Sequence, residues 1–285
     1  MKIFDCLLFN NELDLLEIRC NELKGVVDVH VLCESKITFT ALNKPLNFKE
    51  NQRKFNDFNI SYKETPPLNF GWSWGNEWFQ RNYIYENLLS LNPEPDDIVL
   101  LSDTDEIPNK DTLVNLIKNF SDNSVVLLQD FFHYGINCFC YSYPIWHGTV
   151  VTRFKNIKYP FSDIFNWSSR EIGLQALREN SRGTPKAGGG KNDDAYPEIS
   201  NGGWHYTYCF GVKGIQEKLR SYSHSEMNAP EINNTNYIES KIKTLKSLNP
   251  QTQDWKFKLI DLNKENTPEY IIKNLEKFNH LIIKE

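Results

Sequence analysis

The sequence predicts an α/β fold built on a mostly parallel sheet flanked by helices. Three observations carry that reading. The apolar run KIFDCLLFN (2–10) and the β-branched run VVDVHVLCES (26–35) enclose a segment with Leu13, Leu16, Cys20 and Leu23 at helical spacing, a βαβ opening of the kind that parallel sheets require. DIVLLS (97–102) lacks polar alternation, as a strand buried on both faces does. With 285 residues, 40% of them hydrophobic, the chain is long enough to cover such a sheet on both sides.

The remaining elements follow in chain order. Gly25 ends the first helix. Residues 36–59, rich in Asn and Lys, read as loops with a short helix, and ISYKE (60–64) as a third strand. GNEWFQRNYIYENLLSL (75–91) places Trp78, Ile84, Leu88 and Leu91 near one face of a helix, and NKDTLVNLIKNF (109–120) is an amphipathic helix opened by Asn109. SVVLLQDFFHYGINCF (124–139) and WHGTVVTRF (146–154) are further strands. SSREIGLQALRENS (168–181) starts on a capping box from Ser168 to Glu171. Residues 182–203 carry Gly, Pro, Asn and Asp without an apolar period and read as a long binding loop. WHYTYCFG (204–211) returns to strand and VKGIQEKLRSY (212–222) to helix. PEYIIKNLEKF (268–278) forms a last helix capped by Thr267 with Pro268 at its first position. No internal repeat and no composition shift marks a domain boundary.

Bulk properties exclude several partners. A net charge of −5 with no basic stripe argues against nucleic acid. No run reaches the roughly 18 apolar residues of a membrane span, and MKIFDCLLFNNELDLLEIRC is too short and acidic for a signal peptide. The six cysteines form no CxxC pair and fall mostly in apolar runs, which predicts buried free thiols and a reducing, cytoplasmic setting. The sequons at Asn59, Asn166 and Asn233 are chance occurrences in an Asn-rich chain.

DDIVLLSDTDEIPN (96–109) concentrates acid at the end of a buried strand. Ligands of open α/β sheets sit beyond the carboxyl ends of the strands. In extended conformation Asp103 and Asp105 project to one face with Cα atoms roughly 7 Å apart, a fit for Mg²⁺ or Mn²⁺ sharing its shell with water and phosphate oxygens. The plain alternative is an acidic turn capping the next helix. An aspartyl-phosphate hydrolase also uses Asp-x-Asp at a strand end, but on its first strand and followed by Thr or Val where this chain has Ile107.

The stretches IFDCLLFNNELDLLEIRCNEL, VDVHVLCES, WFQRNYI, DDIVLLSDTDEIP and GGWHYTYCFG, in this order between residues 3 and about 222, resemble glycosyltransferase family 17. The resemblance implies a GT-A-type, Rossmann-like catalytic domain over residues 1–285, with a nucleotide-binding part to about 120 and an acceptor-binding part beyond. It implies inverting transfer of GlcNAc from UDP-GlcNAc, dependent on Mn²⁺ or Mg²⁺, to a glycan acceptor. Asp105 is then the first-choice metal ligand, with Asp103 beside it or facing the ribose, and His205 in GGWHYT, with His224 as competitor, completes the set. Either histidine alone reads equally well as a structural one.

Phe9, Asn10 and Glu34, at the ends of the first two strands, are expected at the uridine. Arg81, a helical turn after Glu77, is expected to reach the diphosphate or brace the acids. Inversion needs a base for the acceptor hydroxyl; Glu226, Glu198 and Asp194, with its neighbour Asp193, are the candidates. Three Trp in GWSWGNEW (71–78) read as core or as sugar-stacking rings. Without a membrane span, contact with a membrane would come only through a glycolipid acceptor. A catalytically idle sugar- or nucleotide-binding relative is the competing reading.

Overall fold

The computed structural model describes residues 1–67, 69–157, 173–181 and 196–284. The chain opens as β1 (Ile3–Leu8), α1 (Leu13–Glu22), β2 (Val29–Glu34), α2 (Asn47–Asn51), β3 (Ile60–Glu64), α3 (Ser73–Leu89) and β4 (Ile98–Asp103). It continues through β5 (Glu106–Pro108), α4 (Lys110–Lys118), β6 (Val125–His133), β7 (Cys138–Cys140), β8 (Ile145–Arg153) and α5 (Gly173–Ser181). The last elements are β9 (Glu198–Thr207), α6 (Gly211–Ser221), α7 (Thr235–Lys243), β10 (Phe257–Leu259) and α8 (Glu269–Lys273).

The α/β class read from the sequence is the class observed. Strands run in the order β10-β7-β6-β8-β4-β1-β2-β3, with β9 bridging β5 and β6. Parallel pairing joins β3, β2, β1 and β4, and β8, β6, β7 and β10 continue antiparallel. Parallel pairing also joins β6 to β9, but every other pairing outside β1–β4 is antiparallel, short of the mostly parallel sheet expected. The cause is chain length: four residues separate β6 from β7 and four separate β7 from β8, whereas a parallel crossover takes a dozen or more.

Alternate residues of the parallel strands feed opposite cores. Phe4, Val31 and Val99 pack on Ile84 and Leu88 of α3 and Leu174 of α5. Leu7 and Leu32 pack on Leu16 and Cys20 of α1 and Phe48 of α2. All six cysteines are buried and free. Asn109 caps α4 as expected, its side chain accepting from the Thr112 N–H at 3.0 Å.

Two elements differ in extent from the sequence reading. β9 begins at Glu198, inside the stretch taken for loop; its Asn and Gly residues serve a register shift against β6 between Leu127 and Gln129. Gly203, at φ +131°, approaches β5 so closely that a Cβ would fall 2.0 Å from the Ile107 carbonyl oxygen. The last helix is only Glu269–Lys273, with Pro268 as its N-cap residue and no side-chain cap from Thr267. The capping box at Ser168–Glu171 and most of the 182–203 loop lie outside the described residues. Among those described, no helix is long and apolar enough to cross a membrane.

Beneath the carboxyl ends of β1 and β4 lies a buried ion pair. Asp5 accepts from Arg19 of α1 at 2.6 and 2.9 Å and meets His30 Nδ1 at 2.7 Å. Arg19 also donates to the Ser102 hydroxyl at 2.7 Å and to the Glu106 carbonyl, so it ties α1 to β1, β4 and β5. Burial alone would raise the Asp5 carboxyl, but the Arg19 charge and hydrogen bonds, with His30, hold it well below its usual 3.8. A depressed carboxyl adds stability above its unfolded pKa and loses it as pH falls. Asp5→Ala is expected to cost roughly 3–5 kcal/mol by stranding a buried guanidinium. In urea titrations the gap between wild type and Asp5→Ala should be full at pH 7 and narrow as pH falls below 3.8. A gap that is constant from pH 7 to pH 2 would refute the ion-pair account.

Candidate active site

A cleft opens where the sequence expectation put it, beyond the carboxyl ends of the parallel strands. It is lined by Leu8, Phe9 and Asn10 after β1, Ile37, Thr38 and Phe39 after β2, and Asp103, Thr104 and Asp105 after β4. Trp74, Glu77 and Gln80 of α3, Trp146 of β8, His205 and Thr207 of β9, and Lys218 of α6 complete its walls together with His224 and Tyr222. Gln80 donates to the carbonyls of Phe9 (2.9 Å) and Cys33 (3.1 Å), fixing α3 over the strand ends.

The two aspartates do not share one extended face. The chain turns at Thr104, whose N–H and hydroxyl both bond the Leu8 carbonyl, at 3.2 and 2.8 Å. The turn sends the carboxylates to different partners. Asp103 accepts from Arg81 at 2.7 Å and lies 3.7 Å from Arg178. Asp105 is buried against Lys218 at 2.9 Å, and its other oxygen faces His205 Nε2 at 3.6 Å.

Strand pairing brings His205 there. β5 and β9 align Glu106 with His205, so the imidazole lands beside the residue that precedes Glu106, a contact locked by the Tyr206 N–H to Asp105 carbonyl bond of 2.8 Å. The ring stacks on Phe131 (5.2 Å, 15°) and Trp146 (4.4 Å), and its Nδ1 is buried without a hydrogen-bond partner. Burial lowers His205 to about 4, with the Asp105 charge opposing. The ring is thus neutral near pH 7, the state in which imidazole offers a lone pair to a metal.

Asp105 Oδ1 and His205 Nε2, 3.6 Å apart and not hydrogen-bonded to each other, are the two side-chain donors that could hold a divalent cation, whose remaining ligands would come from water and phosphate. Asp103 is engaged by Arg81 and His224 by Glu226. No cluster of three ligating side chains is found among the described residues.

The other expected residues distribute as follows. Phe9 and Asn10 line the cleft. Glu34 does not: it is fully buried and accepts from Lys44, the Phe48 N–H and the Tyr62 hydroxyl, so it anchors α2. Arg81 braces the acids, joining Asp103, Glu77 (2.9 Å) and Gln175 (2.7 Å). Glu198 sits at the opposite end of β9 from His205, exposed and paired with His147 at 2.8 Å, roughly 20 Å away by strand rise. Glu226 is exposed and bonds His224 Nδ1 at 2.7 Å, while His224 packs edge-on against Trp74. Asp193 and Asp194 lie outside the described residues.

Lys218 and Glu106 were not singled out as functional by sequence. Burial works against the Lys218 charge, but Asp105 and Glu12 raise it above its usual value, so it is a fixed cation. Its one sequence signal is position: three residues from buried Ile215 and one from buried Leu219, it flanks the apolar face of α6. Glu106 is fully buried. Its carboxylate accepts from Trp146 Nε1 (2.7 Å), Arg178 and the Asp103 N–H (3.1 Å). In an NMR titration of the unliganded protein, the His205 ring is expected to show no protonation step between pH 8 and 5. A step near the usual 6.5 would show that the ring is not desolvated as described.

The family model of glycosyltransferase family 17 matches residues 1–165. Beta-1,4-mannosyl-glycoprotein 4-beta-N-acetylglucosaminyltransferase of Rattus norvegicus is 25% identical over 99% of this chain and 54% of its own length. The Homo sapiens protein of the same name is 24% identical over 99% and 55%. The chain thus spans about half the length of these relatives. Among solved structures, the inositol-1-phosphate CTP transferase from T. maritima is 13% identical with a TM-score of 0.40, covering 70% of this chain and 85% of that one. A glycosyltransferase involved in the glycosylation of the major capsid of PBCV-1 is 16% identical with a TM-score of 0.31, covering 78% and 91%.

Proposed function

The chain belongs to glycosyltransferase family 17, and on that premise we propose that the cleft transfers a sugar, GlcNAc first among candidates, from a UDP-sugar to a glycan hydroxyl with inversion. The observation that carries the reading is the β5–β9 register, which sets His205 against Asp105 beside Lys218 at the mouth of the parallel strands. The relatives' name supplies the donor sugar and suggests a β-mannosyl acceptor.

The chemistry follows from the side chains. The acceptor oxygen attacks the anomeric carbon as the bond from that carbon to the diphosphate oxygen breaks, and UDP leaves with the bonding pair. Phe9 and Asn10, at the end of β1, border the nucleotide. Lys218, a fixed cation in the wall, offsets charge that grows on the leaving diphosphate. Mn²⁺ or Mg²⁺, held by Asp105 Oδ1 and His205 Nε2, would supply Lewis-acid neutralisation of the same charge. Arg81 and Arg178 keep Asp103 in place rather than reaching the donor themselves. We assign the hydroxyl proton to the His224–Glu226 pair, because His224 lines the cleft and its Nδ1 is oriented by a carboxylate.

Release of UDP from UDP-GlcNAc, with Mn²⁺ and a β-mannosyl oligosaccharide present, tests the reading. Asp105→Ala and Lys218→Met are each expected to lower kcat on the order of 100- to 1000-fold. Failure of the wild type to release UDP from any of UDP-GlcNAc, UDP-Glc, UDP-Gal and UDP-GalNAc would leave a nucleotide-binding relative in place of an enzyme. Glu226→Gln should lower kcat about 100-fold while leaving the KM for the donor unchanged. A raised donor KM with unchanged kcat would remove the pair from its assigned role.

A further inference from the structure

From the end of β7 to the first residue of β8 the chain exposes three large apolar side chains within five residues: Tyr141 at 48%, Tyr143 at 43% and Ile145 at 38%. An apolar cluster left open on a monomer marks a contact surface. Its geometry indicates what for. The Tyr143 ring lies flat on Trp255, 5.2 Å between centroids and 6° between planes. Trp255 in turn meets Phe131 edge-on at 5.3 Å. Phe131 stacks on Trp146 (5.5 Å, 27°) and on His205 (5.2 Å, 15°), both in the wall of the cleft. Rings are thus in contact from the wall of the cleft to the surface, with the buried Phe131 as the link between Trp255 and the cleft-lining Trp146 and His205.

The outer end of this run is held in place. The Lys256 N–H bonds the Ser142 hydroxyl at 2.8 Å and the Tyr141 N–H bonds the Lys256 carbonyl at 3.1 Å, beyond the β7–β10 pairing of Cys140 with Phe257. Tyr143 and Trp255 are thus carried on two cross-linked segments, so binding would cost little ordering entropy. Gln253 and Asp254, exposed next to Trp255, offer planar polar groups to hydroxyls.

We propose that the exposed face of Tyr143, backed by Trp255, forms an outer acceptor subsite that stacks glycan residues remote from the reacting hydroxyl. A pyranose presents an apolar face of C–H groups to a flat ring and a rim of hydroxyls to polar neighbours, the pairing this surface offers. The inference rests on the transfer reading of the cleft, because that reading brings a glycan to the inner end of the ring run.

The test is calorimetric binding, with UDP present, of a panel of mannose-, GlcNAc- and galactose-terminated oligosaccharides from two to six sugars, alongside the matching methyl monosaccharides. At least one oligosaccharide is expected to bind the wild type. Tyr143→Ala should weaken that binding about tenfold, roughly 1.4 kcal/mol, while monosaccharide binding and hydrolytic UDP release stay unchanged. Tyr143→Phe, which keeps the ring, should bind like the wild type. Unchanged oligosaccharide binding in Tyr143→Ala would overturn the proposal. So would a wild type that binds no member of the panel, or a Tyr143→Ala whose only change is loss of a dimer in light scattering. Panel binding that depends on Tyr143 without any sugar transfer would sustain the platform and refute the transferase reading alone.

Discussion

The buried carboxylate of Glu106 is the constraint on which the site depends. Side chain and backbone of this one residue bind in several directions: Arg178 and Trp146 on one oxygen, the Asp103 N–H on the other, and Arg19 with Thr149 on its carbonyl. A carboxylate with no solvent exposure keeps its charge only when cations and N–H groups surround it. Meeting that demand recruits β4, β8 and α5 to a single point, and α1 joins them through the Glu106 carbonyl. The same residue then pairs with His205 across β5 and β9. The acids on either side of the turn are therefore placed by the needs of the residue behind them, before any ligand is considered.

That point is also where the sheet changes character. β4 has parallel β1 on one side and antiparallel β8 on the other. Helices that follow a parallel strand cover the sheet faces, whereas a meander turns back on itself, so neither half covers the carboxyl end of β4. A crevice is left at this boundary, the general location of ligands in open α/β sheets. Its walls come from both halves: α3 and the strand ends from the parallel side, β8, β9 and α6 from the other. Salt bridges cross the seam, Arg178 of α5 to Asp103 of β4 and Lys218 of α6 to Asp105. The charges thus join the two halves as well as lining the cleft.

Much of this was legible in the sequence, and the limits have physical causes. β1, β2 and β4 were readable because buried parallel strands are continuous apolar runs, and the acids after DIVLLS stood out because charge at the end of such a run needs a reason. His205 was legible through its motif. The turn at Thr104 was not, because it is enforced by a bond to Leu8, 96 residues away. Glu34 looked like a ligand by its place at a strand end, yet the nearby α2 backbone and Lys44 claim it. Glu198 shared a segment with His205, but extended strand carries it far from the cleft. Arg178 and Lys218 gave weak signals because a cation on an amphipathic helix is usually solvated; only tertiary pairing buries Arg178 and half-buries Lys218.

Asp105 holds a position that the rest of the network does not. One oxygen is bonded to a permanent cation, Lys218, and the other faces a neutral imidazole across a gap too long for a hydrogen bond. Were His205 charged, it would close on Asp105 as a second ion pair and the carboxylate would be spent. Packing between Phe131 and Trp146 prevents this by desolvating the ring, so aromatic stacking sets an electrostatic state. The rings that hold His205 neutral are the inner members of the run that reaches Tyr143 at the surface. The packing that desolvates the imidazole is thus continuous with the rings at the surface, and a change that opened the stack to water would be felt at Asp105.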